Sequence, residues 1–265
     1  GVHESYQEAK ENYEKNSDDP DKIIWYGRWT AYKGDFRGAV KIYSRGISQY
    51  PDEPRLYRHR GHRYISIRAF ERAVDDFEKA ASLIKGKADR VEPDGQPNEQ
   101  NIPVSTLHTN IWYHLGLAHY LRNDLEKAVA AYRKGIAAST NDDMLVATTH
   151  WLYMSLKRLG RDEEAETSLE PISEEMNVIE NTAYHRLCLL YKGLLSREAV
   201  TGEEDSAIMN DATAYGVANR LLEQGKKEEA GKMAEKILEG PVWASFGYIA
   251  AEADVARGMY TAGKL

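Results

Sequence analysis

The sequence predicts an all-α fold built from repeated pairs of helices, and two observations support this. Three pairs of matching residues are each separated by 34 positions: Gly27 and Gly61, Ala39 and Ala73, and Tyr43 and Phe77. Small residues let two antiparallel helices approach closely, while the aromatic ring fills the space toward the next pair. The second observation is an apolar spacing of three and four residues, which is typical of amphipathic helices, with no strand-rich segment.

The length and charge of the chain limit its function classes. With 265 residues and 42% hydrophobic residues, it could form two ordinary domains or one longer array. The net charge of −7 argues against general binding to nucleic acids or anionic membranes, because both need a broad basic surface. A local basic groove is still compatible with this charge.

Cysteine usage and hydropathy exclude several further possibilities. Cys188 is the one cysteine, so neither an internal disulfide nor a cysteine-based zinc site can form, and its position favours packing over catalysis. No run approaches 18 apolar residues, so no membrane span is expected. The chain opens at Gly1 without a signal sequence, which fits either a cytoplasmic protein or one exported after removal of a leader.

Residues 112–135 carry the strongest motif in the chain. Trp112, Leu115, Gly116, Ala128 and Tyr132 lie at the offsets of the tetratricopeptide signature, and the segment resembles one such repeat. The rest of the chain resembles further copies. The resemblance implies a right-handed α–α superhelix, or solenoid, of about six helix pairs with a C-terminal capping helix.

The predicted organisation has three parts. Residues 1–19 form an N-terminal helix that acts as a half-repeat cap, 20–240 form the repeat array, and 241–265 form the capping helix and a frayed tail. The array contains an inserted loop at 86–106, where three prolines and a Pro-Asp-Gly turn signal exclude a continuous helix. The fifth repeat is degenerate, with an acidic turn around 202–205.

The resemblance also implies which side chains line the concave side, because the first helix of each repeat presents its fifth and ninth residues there. Most of these positions are Arg, His or Tyr. The predicted contact set is Arg28, Arg58, His62, Tyr113, His150, His185 and Tyr215.

Charge segregation within the second repeat indicates an anionic ligand. Its opening helix, 54–70, carries five arginines and no acid, whereas the following helix carries the carboxylates. Arginine holds a carboxylate or phosphate with two parallel hydrogen bonds, so Arg28 and Arg58 are expected to clamp the anion, and His62 to tune affinity with pH. The alternative is intramolecular pairing, for example of Arg55 with Asp52 or of Arg72 with Asp76.

Two further features of the second and third repeats leave alternatives open. Arg60 falls where the signature expects leucine, and a structural ion pair is favoured there because an unpaired buried guanidinium is costly. The loop 86–106 is either a lid, with Glu92, Asp94 and Glu99 folding over nearby arginines and histidines, or a mobile surface loop.

The resulting hypothesis is a scaffold that binds an acidic or carboxylate-bearing peptide or small ligand. No metal-ligand spacing, phosphate-binding loop or hydrolase fingerprint is present, so no cofactor, metal or enzyme activity is expected. One alternative is an enzyme that acts on a small anionic substrate in a pocket closed by the 86–106 loop. Another is a structural adaptor that uses its outer acidic face. Partner identity and oligomeric state do not follow from the sequence.

Overall fold

The computed structural model describes residues 1–202 and 209–261, and the regular secondary structure of these residues is α-helical. Within them, the only strand-like pairing is one isolated bridge between Val91 and Thr106. The predicted all-α class is therefore confirmed. The helices described are α1 (Val2–Lys15), α2 (Pro20–Tyr32), α3 (Phe36–Gln49), α4 (Pro54–Ser66), α5 (Phe70–Ile84), α6 (Leu107–Leu121), α7 (Leu125–Ala138), α8 (Asp142–Arg158), α9 (Asp162–Ser168), α10 (Thr182–Lys192), α11 (Arg197–Thr201), α12 (Asp211–Glu223), α13 (Lys227–Glu239) and α14 (Phe246–Ala256).

The chain divides into two compact units, residues 1–119 and 120–265. In the first unit, helices α1 to α5 pack each against the next, and α2 also contacts α4. In the second unit, α8 packs against α7, α9 and α10, and α12 packs against α10, α13 and α14. Consecutive helices joined by short turns are antiparallel neighbours, as expected for helix-pair repeats.

Close packing explains the 34-residue recurrence. A Cβ atom added at Gly27 would lie 2.2 Å from the ring of Tyr43, and one added at Gly61 would lie 2.8 Å from the ring of Phe77. Both rings are buried. Each of these two helix pairs therefore requires a glycine on one helix to make room for an aromatic ring on the other.

Side-chain caps set several helix starts. Asp19, directly before Pro20, accepts a hydrogen bond from the Asp21 backbone N–H at 2.9 Å. Ser245 likewise accepts a hydrogen bond from the Tyr248 N–H, and the final helix begins directly after it, at Phe246.

The predicted fifth repeat and the predicted tail are each described only in part. The second helix of the fifth repeat is reduced to α11, and most of the predicted acidic turn lies outside the described residues. Residues 258–261, expected to fray, form a turn in which the Thr261 N–H donates to the Gly258 carbonyl, and 262–265 are outside the described part. Among the helices described, none is both long and apolar enough to cross a bilayer.

A buried carboxylate positions the segment before α10. Asp143 is 2% exposed and accepts hydrogen bonds from the backbone N–H groups of Ile179, Glu180 and Asn181 at 3.0, 2.9 and 2.8 Å. One side chain on α8 thus satisfies three successive donors of a loop, and bonds to a charged acceptor are stronger than neutral ones.

We expect Asp143→Ala to lower the free energy of unfolding by about 2 kcal/mol, because these donors lose their partner. Urea denaturation followed by circular dichroism measures the change. Asp143→Asn, which keeps one acceptor oxygen, should lose less, and Glu163→Ala on the exposed surface of α9 should lose almost nothing. Equal stability of Asp143→Ala and the parent protein would contradict the assigned role.

Candidate functional site

The predicted basic residues come together in the first unit, on one face formed by two adjacent helices. Arg28 lies on α2, and Arg58, His62 and Arg63 lie on α4, which contacts α2. Arg58 and His62 are four residues apart and so share one side of their helix. We call Arg28, Arg58 and Arg63 with their neighbouring rings the basic face.

Arg28 is fixed by aromatic residues of its own helix. Its guanidinium carbon lies 4.3 Å from the centre of the Trp25 ring, and its Nε and Nη2 atoms donate to the Tyr32 hydroxyl at 3.2 and 3.1 Å. Its Nη1 donates to the Pro93 carbonyl at 2.9 Å. Because all three of these hydrogen bonds go to neutral oxygens, they do not neutralise the positive charge of Arg28.

Arg58 carries a bidentate ion pair on this face. Its Nε and Nη2 atoms each donate to a different carboxylate oxygen of Glu92, both at 2.9 Å. The Arg58 and Glu92 side chains are only 7% and 10% exposed. The third nitrogen of the guanidinium, Nη1, is buried and has no hydrogen-bond partner among the described residues.

Arg63 completes the positive cluster through contacts with rings. Its guanidinium carbon lies 5.2 Å from the centre of the Phe36 ring and 5.9 Å from that of Tyr32. Burial lowers the pKa of Arg63, and the positive charges of Arg58 and Arg28 lower it further, although nearby tyrosines oppose this. The cluster therefore concentrates like charges in a partly desolvated place.

The histidines of this face do not contribute charge near neutral pH. Burial lowers the pKa of His59, His62 and His114 well below the ordinary value, and neighbouring arginines lower each one further. The expectation that His62 tunes affinity with pH is therefore corrected, because its imidazole stays neutral around pH 7. The positive charge of the basic face comes from its arginines.

The inserted segment between α5 and α6 lies on the basic face. Its two ends are fixed, since Ile84 and Leu107 belong to the same apolar cluster as Tyr57, Ala80 and Ile111. Near its base, the Glu92 N–H donates to the Ser105 carbonyl at 3.0 Å, and the Leu107 N–H donates to the Arg90 carbonyl at 2.9 Å. The anchored base directs the Glu92 side chain and the Pro93 carbonyl onto Arg58 and Arg28.

Beyond Pro93, the loop continues along α2. A Cβ atom added at Gly95 would lie 2.4 Å from the Tyr32 ring, so the loop backbone contacts this ring directly. Asp94 lies between Pro93 and Gly95 in the sequence. One of its carboxylate oxygens is buried without a hydrogen-bond partner in the part of the chain that the structure describes. Burial raises the pKa of Asp94, Arg28 opposes this rise, and Glu92 adds to it.

A small cavity remains between the loop and the helices. Its volume is about 110 Å³, and its lining includes Trp25, Arg28 and His59 from the helices and Glu92 and Pro93 from the loop. The loop thus contacts Arg28 and Arg58 but leaves this cavity beside Arg28.

Tyr113 and His185 are two other predicted contact residues. Tyr113, in the first unit, is buried and packs edge-on against His114 with ring centres 5.3 Å apart. His185, in the second unit, is half-buried, with Nε2 2.8 Å from the Ser173 carbonyl oxygen.

His150 and Tyr215 are removed from solvent, which corrects the expectation that they face a ligand. His150 has no exposed surface and stacks against the rings of Tyr184 and Tyr191, with Nδ1 3.0 Å from the Tyr191 hydroxyl. Tyr215 is equally buried and donates a hydrogen bond to Asp254 at 2.6 Å. Both belong to the core of the second unit, where they are not exposed to a ligand.

Two further arginines of the second repeat are paired within the chain. Arg60 forms a bidentate ion pair with Asp76, with hydrogen bonds of 2.8 and 2.7 Å, which confirms the prediction for this position. Asp76 is therefore the partner of Arg60 rather than of Arg72. Arg55 pairs with Glu53 and Asp21 instead of Asp52.

The predicted contact set lacks the aromatic residues that hold the arginines. Trp25 and Tyr32 lie three residues before and four residues after Arg28, so all three share one side of α2. That helical spacing is the signal in the sequence that could have found them. Arg63 is one of the five arginines of its helix, but it too lies outside the predicted contact set.

The structure also bears on the metal and nucleophile hypotheses. Among the described residues, no group of three or more His, Cys, Asp or Glu side chains is placed to hold a metal ion. Cys188 is fully buried, with Sγ 3.6 Å from the Val146 carbonyl oxygen, and burial raises the pKa of its thiol. A buried thiol of this kind packs as a small apolar residue, as predicted.

A sequence model of the tetratricopeptide repeat family matches residues 107–143. No curated protein matches the sequence. Among solved structures, the chain is similar to YrrB, a TPR protein described as having an unusual peptide-binding site, with 14% identity, a TM-score of 0.50, and coverage of 94% of this chain and 97% of that one. It is also similar to MamA AMB-1, with 15% identity, a TM-score of 0.48, and coverage of 64% and 86%. At this identity, the likeness to YrrB shows the fold alone.

Proposed function

We propose that this chain, which matches the tetratricopeptide repeat family at residues 107–143, is a protein-interaction scaffold whose basic face binds an acidic, extended peptide. Arg58 receives a carboxylate of the peptide, and Arg28 receives a backbone carbonyl. His62 lies beside them as a neutral polar group. The partner is a protein or peptide with acidic groups, and no cofactor takes part.

The observation that carries this proposal is the way in which Arg58 and Arg28 already hold a carboxylate and a peptide carbonyl. The planar guanidinium of Arg58 receives both oxygens of Glu92 at 2.9 Å, and Arg28 donates to the next carbonyl along the chain, that of Pro93. Bidentate pairing fixes direction as well as charge. The face therefore has the geometry to accept an acidic residue together with the backbone that follows it.

The charge of the face supports the same ligand class. Arg28 and Arg58 lie close enough to Arg63 to lower its pKa, while the adjacent histidines are neutral near pH 7. Partial burial weakens screening by solvent, so an incoming carboxylate is attracted more strongly than it would be at an exposed site. The description of YrrB as a TPR protein with a peptide-binding site is compatible with a peptide ligand on this fold.

The alternative of an enzyme finds less support. A general acid or base works best with a pKa near the working pH, whereas burial lowers the pKa of His59, His62 and His114 well below it. The cavity of about 110 Å³ between the loop and the basic face is also smaller than an ordinary small-molecule site.

A display selection with peptides of random sequence tests the proposed function. The target is the full chain carrying Glu92→Gln, which removes the competing charge, and the probe is a library of 12-residue peptides. We expect enriched peptides to carry Asp or Glu. Their affinity should fall about tenfold or more when Arg58→Met is added, since one bidentate charged contact is lost, and it should fall as salt is raised.

The matched control is Arg37→Met, which removes an exposed arginine from α3 in the same unit and should leave affinity unchanged. Enrichment of neutral or basic peptides would contradict the proposal. So would acidic peptides whose binding does not change with Arg58→Met.

A further inference from the structure

We propose that residues 92–95 are a built-in copy of the ligand: the external partner is an extended peptide with an acid-x-x-Gly pattern, and it binds by displacing this loop. The inference rests on the proposed function of the basic face. It adds the residue pattern of the ligand and the competition that regulates access to the face.

The acidic position of the pattern is defined by Arg58. The Glu92 carboxylate matches the Nε and Nη2 atoms of this guanidinium, and the pair is almost completely removed from solvent. A shorter or uncharged side chain at this position would leave a buried guanidinium without a counter charge, which is strongly unfavourable. The first residue of the pattern is therefore an acid, and glutamate has the observed reach.

The glycine position is defined by Tyr32. A Cβ atom at residue 95 would lie 2.4, 2.5 and 2.7 Å from three atoms of the Tyr32 side chain, distances at which one side must move. The Tyr32 hydroxyl accepts two hydrogen bonds from Arg28, and its ring packs edge-on against Trp29 at 5.1 Å. Because the ring is held on both sides, we infer that only glycine fits three positions after the acid.

The two central positions are less restricted. Residue 93 contributes its backbone carbonyl to Arg28 and needs no N–H donor, which is why proline is tolerated there, and its side chain is exposed. Asp94 gains no hydrogen bond for its buried oxygen from any residue that the structure describes. Neither position selects strongly for a side chain.

The loop occupies the face imperfectly, which makes displacement feasible. The Arg58 Nη1 atom and one Asp94 oxygen are both buried without hydrogen-bond partners among the described residues. Each buried polar atom without a partner costs free energy. A peptide that supplies an acceptor to Nη1 would remove the first of these costs. A peptide without an acid at the third position would avoid the second.

The loop therefore acts as a competitor at high local concentration, because both of its ends are fixed in the core cluster that contains Ile84 and Leu107. The apparent affinity of an external peptide is reduced in proportion to the fraction of molecules with the loop displaced. Substitutions that weaken the contacts of the loop with the basic face should therefore strengthen binding of an external peptide.

A labelled peptide with the sequence of residues 89–98 tests this directly by fluorescence anisotropy against the full chain. We expect Glu92→Gln and Gly95→Ala, made separately in the protein, each to tighten binding of this peptide about tenfold. Glu99→Gln is the matched control, because it removes an exposed acid from the same loop, and it should change nothing. Peptides in which the Glu or the Gly is replaced by Gln or Ala should bind about tenfold more weakly.

The outcomes separate this inference from the proposed function. Equal binding of the peptide to the parent protein and to both loop variants, or equal binding of the Gly-to-Ala peptide, would overturn the ligand-copy inference while leaving the acidic-peptide function intact. If library-selected acidic peptides bind but the 89–98 peptide does not, the ligand-copy inference is also overturned and the acidic-peptide function is again left intact. Peptide binding that is unaffected by Arg58→Met would overturn both.

Discussion

Replacing Asp254 with alanine is expected to lower the free energy of unfolding of the second unit by about 3–5 kcal/mol. Asp254 lies on α14 with no exposed surface and accepts hydrogen bonds from Arg158 at 2.9 and 2.7 Å, Tyr215 at 2.6 Å and Arg257 at 2.8 Å. Removing it leaves the Arg158 guanidinium buried without its counter charge, which is much costlier than losing a surface ion pair.

The electrostatics of this network support a large effect. Burial alone would lower the pKa of Arg158, but Tyr120, Tyr215 and Asp254 together raise it well above the ordinary value. Guanidinium chloride denaturation measures the loss. Asp254→Asn, which keeps the shape and part of the hydrogen bonding, should lose less than Asp254→Ala, and Glu235→Ala on the exposed side of α13 is the control. A loss below about 1 kcal/mol, the range of exposed ion pairs, would show that water replaces the carboxylate.

The second large effect expected is a loss of stability in mild acid. Burial lowers the pKa of His150 to about 3, whereas histidine in an unfolded chain titrates near 6.5. Between these values the unfolded state binds the extra proton, so the stability present above pH 6.5 is lost as the pH falls. The slope is about 1.4 kcal/mol per pH unit for this residue, or about 2.5 kcal/mol from pH 7 to 4.5.

His59, His62 and His114 shift in the same direction and should add to the acid sensitivity of the first unit. The contribution of His150 is measured from urea midpoints at several pH values with the His150→Phe variant, whose ring can stack between Tyr184 and Tyr191. This variant should show a shallower pH dependence below 6.5, whereas His3→Phe on the exposed surface of α1 should not. Identical pH slopes for His150→Phe and the parent would contradict a neutral, buried imidazole.

The helix pairs were predictable because their determinants are local and repeat along the chain. Gly27 and Gly61 are needed where Tyr43 and Phe77 press against the opposite helix, so the same spacing appears in the sequence and in the structure. The break between α5 and α6 followed from the prolines and glycines in that segment. The Arg60 ion pair followed from the cost of leaving a charge alone in an apolar position.

The exposure of individual side chains was not predictable, because it depends on contacts between distant parts of the chain. His150 is enclosed by Tyr191, which lies 41 residues away and in another repeat. The path of the loop is also not encoded in periodicity, so the sequence could offer the contact of Glu92 with Arg58 only as one of two possibilities. A repeat pattern carries information about which side of a helix faces inward, but not about what covers it.

The enclosure of Cys188 makes the native chain inert toward thiol reagents. Its sulfur is fully buried and its thiolate is disfavoured, so a maleimide dye added to the folded protein should not react with it. A cysteine introduced at exposed Gln100 would then be the single labelling position, without any need to delete the natural one. Spectroscopic reporters can thus be installed on the 86–106 loop in one step, and its departure from the arginines can be timed while a peptide arrives.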